Sequence, residues 1–208
     1  MKTGHKKYNF KYIVGVDEAG RGPLAGPVSV SAIVFQSNFY KSHKNSGNSL
    51  PEGHDSKKLS EKKREEWYEK IKAMRKRGKC DFRQSFSGAK IIDKKGIVYA
   101  VNLAIARCLR RLNLNPQNTL ILLDGSLKAP KIYKQRTIIG GDQREKIIAL
   151  ASVVAKVKRD RKMIRFAKEF PKYAFEIHKG YGTREHYRRI KKYGLSPIHR
   201  RSYLGTRH

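Results

Sequence analysis

Acid is in short supply in this sequence: 17 Asp plus Glu stand against 48 Lys plus Arg, a formal charge of +31 over 208 residues. That excess is far beyond what solubility requires, and it makes a polyanion the natural partner. Cysteine is scarce too. Cys80 and Cys108 form no CxxC pair and no Cys/His group at zinc-ligand spacing, so both thiols read as small core residues in a reducing cytoplasm. Long apolar runs are missing. The longest uncharged one, Ile147 to Ala155, falls short of the ~18–20 residues that a transmembrane helix needs. The run from Tyr12 to Val16 is too short for a signal peptide and stops at two acids.

Enough apolar sequence remains for one core. Tyr12–Val16 and Val28–Phe35 are β-branched runs separated by a Gly/Pro-rich segment, and they read as neighbouring antiparallel strands. Residues 36–56 turn to Ser, Asn, Gly, Lys and His, the composition of a surface loop. Ser60 then caps a helix from Glu61 to about Arg77, with Trp67, Ile71 and Met74 as its seam. Cys80–Phe86 reads as a strand. Ile91–Leu112 reads as an amphipathic helix facing inward through Ile97, Val101, Leu103, Ala104, Ile105, Cys108 and Leu112. Thr119–Leu123 has the continuous apolar character of a strand buried on both faces, and Arg136–Ile139 is a shorter strand. A helix follows from about Arg144 through the apolar segment Ile147–Val157, and short helices and loops complete the chain. The pattern predicts a mixed α/β sheet flanked by helices, with a small basic helical part at the C-terminus. From Lys156 to His208 there are 17 Lys plus Arg against 4 acids, interleaved with five tyrosines, as expected of a surface that clamps a duplex.

With acids so few, their positions are informative. Asp17 and Glu18 end the first strand, Asp124 ends the most apolar strand, and Asp142 follows the next. Carboxylates gathered at neighbouring strand ends repel one another unless cations lie between them, and hard oxygen donors suit Mg²⁺ or Mn²⁺. Asp124 or Asp142 alone reads more readily as a turn residue before glycine or at a helix start. Asp17 and Glu18, paired beside a buried strand, resist that reading more strongly. Asp55 reads as support for a turn, and Asp160 as a partner of neighbouring arginines. The seven histidines show no ligand spacing and are expected to be mostly exposed. Charge alone also fits a non-catalytic nucleic-acid-binding protein, and acids on strands also fit a nuclease or integrase directed at DNA.

Asp17-Glu-Ala-Gly-Arg-Gly-Pro-Leu-Ala-Gly-Pro-Val28 resembles the signature of ribonuclease HII. The resemblance continues through Asp55-Ser-Lys-Lys-Leu-Ser60, Leu123-Asp-Gly125, Gly141-Asp142, Ala151–Asp160, His178-Lys-Gly-Tyr-Gly-Thr183 and His199-Arg-Arg-Ser202, in family order over nearly the whole chain. It implies a ribonuclease-H-like catalytic domain over residues 1–160 and a basic helical region over 161–208. The implied activity is metal-dependent cleavage of RNA paired to DNA, including a single ribonucleotide embedded in duplex DNA, by a monomeric enzyme using Mg²⁺ or Mn²⁺. Asp17, Glu18, Asp124 and Asp142 fall on the family's metal-binding acids. Gly20, Arg21 and Gly22 fall on its loop for the ribose 2′-hydroxyl, and Tyr181 on the tyrosine that packs against the next deoxyribose. Lys57 and Lys58 read as phosphate contacts. Gly140 and Ser126 depart from the common Lys and Asn, and His54 from the Asn before Asp55; none of these removes a metal ligand.

Overall fold

A computed structural model describes residues 10–43 and 59–205 of the chain. Five strands form one sheet in the order β3-β2-β1-β4-β5. The strands are β1 (Tyr12–Ala19), β2 (Val28–Gln36), β3 (Cys80–Ser87), β4 (Thr119–Asp124) and β5 (Lys134–Ile138). As expected, β1 and β2 are antiparallel neighbours, and β3 continues the antiparallel side. β4 and β5 join through parallel pairing, so β1, β4 and β5 end on the same side of the sheet.

Side chains alternate across a strand, which sorts the core into two layers. Ile13, Ile33, Phe35 and Leu122 pack with Trp67 and Ile71 of α2 (Glu61–Lys76) and with Ile147, Leu150 and Val154 of α5 (Lys146–Glu169). Val14, Val16, Val30, Ile121 and Leu123 pack on the other face against Val101, Ala104, Ile105 and Leu109 of α3 (Ala89–Leu112). Ile97 and Leu103, predicted to face inward, are only partly buried. Each fully buried aliphatic side chain contributes on the order of 1.5–3 kcal/mol. Gly15 lies on the α5 face, and a Cβ there would stand 2.4 Å from the Ile147 carbonyl oxygen. The central strand therefore meets the first turn of α5 backbone to backbone.

Local signals explain several boundaries. Ser60 caps α2 through its hydroxyl, which accepts from the Lys63 amide at 3.2 Å. Within α3, Gly96 leaves helical geometry at φ 82°, kinking the segment that reads as one helix in sequence. The helix predicted from about Arg144 is the long α5, which begins at Lys146, and a single turn, α4 (Gly141–Arg144), precedes it. α5 runs unbroken through residue 160, where the sequence reading divides the catalytic part from the basic region. Residues 36–56 are not loop throughout: α1 (Ser37–His43) occupies part of that stretch and buries Tyr40, whose hydroxyl donates to Glu145 at 3.1 Å. Residues 44–56 of the expected loop, with Asp55, Lys57 and Lys58, lie outside the described residues. Beyond α5 come α6 (Phe175–His178) and α7 (Arg184–Tyr193). No helix among the described residues is long and apolar enough to cross a membrane. Cys80 and Cys108 are buried, and burial pushes both thiols up to about 12, so neither is a nucleophile at neutral pH.

Two expectations need correction, the first for a local reason and the second because distant segments meet. Asp160 pairs with Lys156, one turn earlier on α5 at 2.9 Å, and not with an arginine. His178, His186 and His199, expected outside, are buried together beneath Phe175. Burial holds His186 and His199 down to about 4 and also lowers His178, so all three are neutral in the folded protein. The unfolded chain titrates these rings near 6.5, so it binds more protons between the two values. Their contribution to stability is therefore complete above about pH 6.5 and is lost as pH falls toward about 4. Asp17 and Glu18, whose carboxyls shift upward, act in the opposite sense. In an Asp17→Asn, Glu18→Gln background, stability by chemical denaturation should fall by about 2 kcal/mol for each of His186 and His199 between about pH 7 and pH 5. An unchanged denaturation midpoint over that range would mean that these rings do not stay neutral.

Candidate active site

The acids reach one end of the sheet through strand parity and register. Val16 of β1 pairs with Leu123 of β4, so Asp17 and Asp124 are the next residues on adjacent parallel strands. Both share parity with the residues that face α5. Ser152 of α5 hydrogen-bonds to Asp17, which fixes that orientation. Asp17 is 2% exposed. Burial raises its carboxyl well above the ordinary value, and the charges of Glu18 and Asp124 raise it further against the Ser152 hydrogen bond. Glu18 is also raised by burial, with Asp124 adding and Arg21 opposing. One oxygen of Glu18 accepts from Arg21 at 3.4 Å; the other, Oε2, is buried with no hydrogen-bond partner.

A cleft of about 410 Å³ opens above these strand ends. Its lining brings together Asp17, Glu18, Gly20, Arg21, Gly22, Asp124 and Tyr181, all singled out from sequence, with Ala19, Arg64, Ser152 and Lys156. Asp142 is not in that lining: it is buried in the first turn of α4, next to Gly141, whose amide donates to Asp124 Oδ1 at 2.7 Å. Lys57 and Lys58 lie outside the described residues. Ser152 and Lys156 belong to the Ala151–Asp160 block quoted above, so a signal for them was present. Arg64, one charge among many on α2, carried none.

Among the described residues, no three His, Cys, Asp or Glu side chains stand close enough to hold a metal ion as they are. The acids are engaged locally instead: Asp17 Oδ1 accepts from the Glu18 amide at 2.7 Å, and Asp124 Oδ1 from Gly141. The donor set still fits a hard divalent cation. It is all carboxylate oxygen, it is mutually repulsive, and it includes a buried oxygen that nothing else satisfies. A cation there would reverse the upward shifts of Asp17 and Glu18.

The loop after β1 is held from behind by two buried guanidinium groups. Arg159 of α5 donates to the carbonyls of Pro27 and Ala25 at 3.1 and 3.3 Å. Arg200 donates to Gly20, Arg21 and Gly26 at 2.6, 2.6 and 3.0 Å. Gly20 has φ +91°, and a Cβ there would stand 1.9 Å from Arg159 Nε, so both conformation and space require glycine. Tyr181, 43% exposed, presents its ring to the cleft with Lys156 Nζ and Arg159 Cζ over it at 5.9 and 5.7 Å.

The family model described as ribonuclease HII matches residues 14–206. A ribonuclease HII of Endomicrobium trichonymphae is 41% identical over 195 residues, covering 93% of this chain and 86% of the relative. In structure, the chain is similar to the ribonuclease H2 of Pyrococcus horikoshii OT3, with 24% identity, a TM-score of 0.64, and coverage of 92% and 93% of the two chains. It is also similar to Bst-RNase HIII in complex with Mn²⁺, at 14% identity and a TM-score of 0.61, over 90% of this chain and 64% of that one. These likenesses show the ribonuclease-H-like fold. With the family match running from the first strand to the last turn, and a relative sharing two residues in five over almost the same span, the chain belongs to the ribonuclease HII family and is a ribonuclease H hydrolase.

Proposed function

We propose that this enzyme cleaves the RNA strand of RNA–DNA hybrids and cuts on the 5′ side of a single ribonucleotide embedded in duplex DNA. The observation that carries the reading is that two kinds of group line one cleft: the carboxylates Asp17, Glu18 and Asp124, and the candidate sugar readers Gly20–Gly22 and Tyr181. Asp17, Glu18, Asp124 and Asp142 would hold Mg²⁺ or Mn²⁺. A pair of such ions, when bound, supplies an activated water and stabilises the leaving oxygen. The chain's own residues do the rest. Gly20 and Gly22 let the main chain approach the ribose closely, where the 2′-hydroxyl separates RNA from DNA. The Tyr181 ring packs on the following sugar and leaves little room for a further hydroxyl. Lys156 and Arg64 in the cleft, with Lys57 and Lys58 nearby in sequence, supply positive charge for phosphates, and the basic region 161–208 grips the duplex. The enzyme acts in this reading as a monomer in the cytoplasm.

The test is a duplex carrying one ribonucleotide beside an all-DNA control, with either ion present. Cleavage of the first only, leaving a 3′-hydroxyl upstream and a 5′-phosphate on the ribonucleotide, is the expected result. A cut on the 3′ side that leaves a 2′,3′-cyclic phosphate would make the 2′-hydroxyl the nucleophile and overturn the reading. Tyr181→Ala should lower cleavage of this substrate on the order of 10-fold while duplex affinity stays nearly constant, and Tyr181→Phe, which keeps the packing face, should retain more activity.

A further inference from the structure

The three buried histidines have no part in the chemistry above, yet their hydrogen bonds admit only one arrangement of protons. The Gly180 amide donates to His178 Nδ1 at 3.1 Å, so Nε2 carries the proton and donates to the Tyr173 carbonyl at 2.8 Å. The Ser196 amide donates to His199 Nδ1 at 2.9 Å, so the proton of His199 is on Nε2. That nitrogen stands 3.0 Å from His186 Nε2, which must accept; His186 therefore carries its proton on Nδ1 and donates to the Tyr181 carbonyl at 2.9 Å. The His178 and His186 rings stack at 4.3 Å between centroids. Every imidazole nitrogen in the group has at least one partner of the correct polarity, His199 Nδ1 facing the Ser196 hydroxyl at 2.8 Å as well, and the chain of bonds ends on the main chain of Tyr181.

The other end of this chain leads to the second sugar reader. His199 is followed by Arg200, which is fully buried and spans the carbonyls of Gly20, Arg21 and Gly26. The Arg200 amide donates to Leu24 at 2.7 Å, His199 forms a bridge with Ala25, and the Leu24 amide donates to Gly180 at 2.8 Å. One dipeptide thus grips both loops: through Arg200 the 20–22 loop, and through His199 and His186 the backbone of Tyr181.

We propose that His199 and Arg200 form a strut that sets the spacing between the two sugar-reading elements, and so decides how sharply the enzyme distinguishes an RNA-to-DNA junction from continuous RNA. His186, His199 and Arg200 are positioning residues in this scheme. The inference rests on the reading of Gly20–Gly22 and Tyr181 given under Proposed function. Its logic is geometric: the readers contact successive sugars, so a shift between them penalises a junction, where both must fit at once, more than continuous RNA, where the tyrosine gains little.

The experiment measures kcat/KM on a single-ribonucleotide duplex and on a continuous RNA–DNA hybrid, with melting temperature as a control for folding. His199→Phe keeps a ring but removes the donor to His186, and should lower the junction-to-hybrid ratio about 10-fold. His199→Gln, whose amide can donate from nearly the same place, should recover most of that ratio. Should His199→Phe fail to fold, Arg200→Lys carries the same test, since it keeps the charge and loses the fork that spans three carbonyls; its ratio should also fall. An unchanged ratio, even with both rates lowered, or an equal loss for the Phe and Gln variants, overturns the strut. Tyr181→Ala in the same assay separates the two layers. If it leaves the ratio intact, the reading of Tyr181 is wrong and the strut falls with it. If it lowers the ratio and the His199 and Arg200 variants do not, the strut alone is wrong.

Discussion

Asp17→Asn and Asp124→Asn should each lower cleavage on the order of 10³-fold or more, with duplex affinity changed by less than about 3-fold. The two carboxylates occupy adjacent positions at the ends of parallel strands, and Asp17 is held in place by Ser152 while Asp124 accepts from Gly141. An amide keeps the size of each side chain and removes the charge that a divalent cation requires. Affinity survives because it comes chiefly from the basic surface, which these substitutions do not touch. Melting temperature separates inactivity from unfolding. Neutralising Asp17 removes a buried charge that burial and Glu18 both disfavour, so the melting temperature should hold or rise. Single-turnover cleavage at saturating Mg²⁺ is the measurement, and a rate near that of the native enzyme for either variant would remove that acid from the catalytic set.

Gly15→Ala should be the most damaging single methyl group in the sheet. Its Cβ would meet the Ile147 carbonyl oxygen at 2.4 Å and the carbonyl carbon at 2.6 Å, both main-chain atoms that cannot rotate aside. Relief requires α5 to lift from β1, and that helix also carries Ser152, Lys156 and Arg159 to the cleft and its supporting loop. A cost of about 3 kcal/mol or more follows, a fall in melting temperature of about 6–12 °C for a chain of this size, with activity reduced even in the fraction that remains folded. The contrast is Gly88→Ala, where nothing lies within 4 Å and little change is expected. Equal melting temperatures for the two variants would show that the contact between β1 and α5 is looser than described.

What the sequence discloses, and what it conceals, follows from the range of the interactions. β4 is legible because Thr119–Leu123 is apolar without interruption, and the end of that run marks where Asp124 emerges. Asp17 and Glu18 stand out because acids are so scarce around them. The kink at Gly96 and the short α1 are harder, since Ser37–His43 is composed like a loop and is held by a tyrosine that reaches Glu145, over a hundred residues away. The histidine group is invisible to any local pattern: residues 178, 186 and 199 share no helical or strand period and meet only because α6, α7 and the following turn fold over Phe175. Arg159 and Arg200 mislead most. A guanidinium ordinarily belongs at the surface, and it is main-chain carbonyls from residues 20–27, with the rings of Tyr181 and Tyr203 alongside, that partner these two in the interior.

Those two guanidinium groups have an electrical consequence. Burial draws Arg159 down to about 10 and lowers Arg200, but at neutral pH both remain cations, sealed behind the loop that borders the cleft. Mobile ions cannot surround a charge that water does not reach, whereas the lysines of the outer surface lose their reach within a Debye length of ~8–10 Å at ordinary ionic strength. Rising salt should therefore weaken the pull of the outer surface first, while the field of these two buried cations, set against the carboxylates of the cleft, changes least. If the cleft takes a duplex as proposed, general affinity should fade with salt sooner than the charge balance at the cleft shifts.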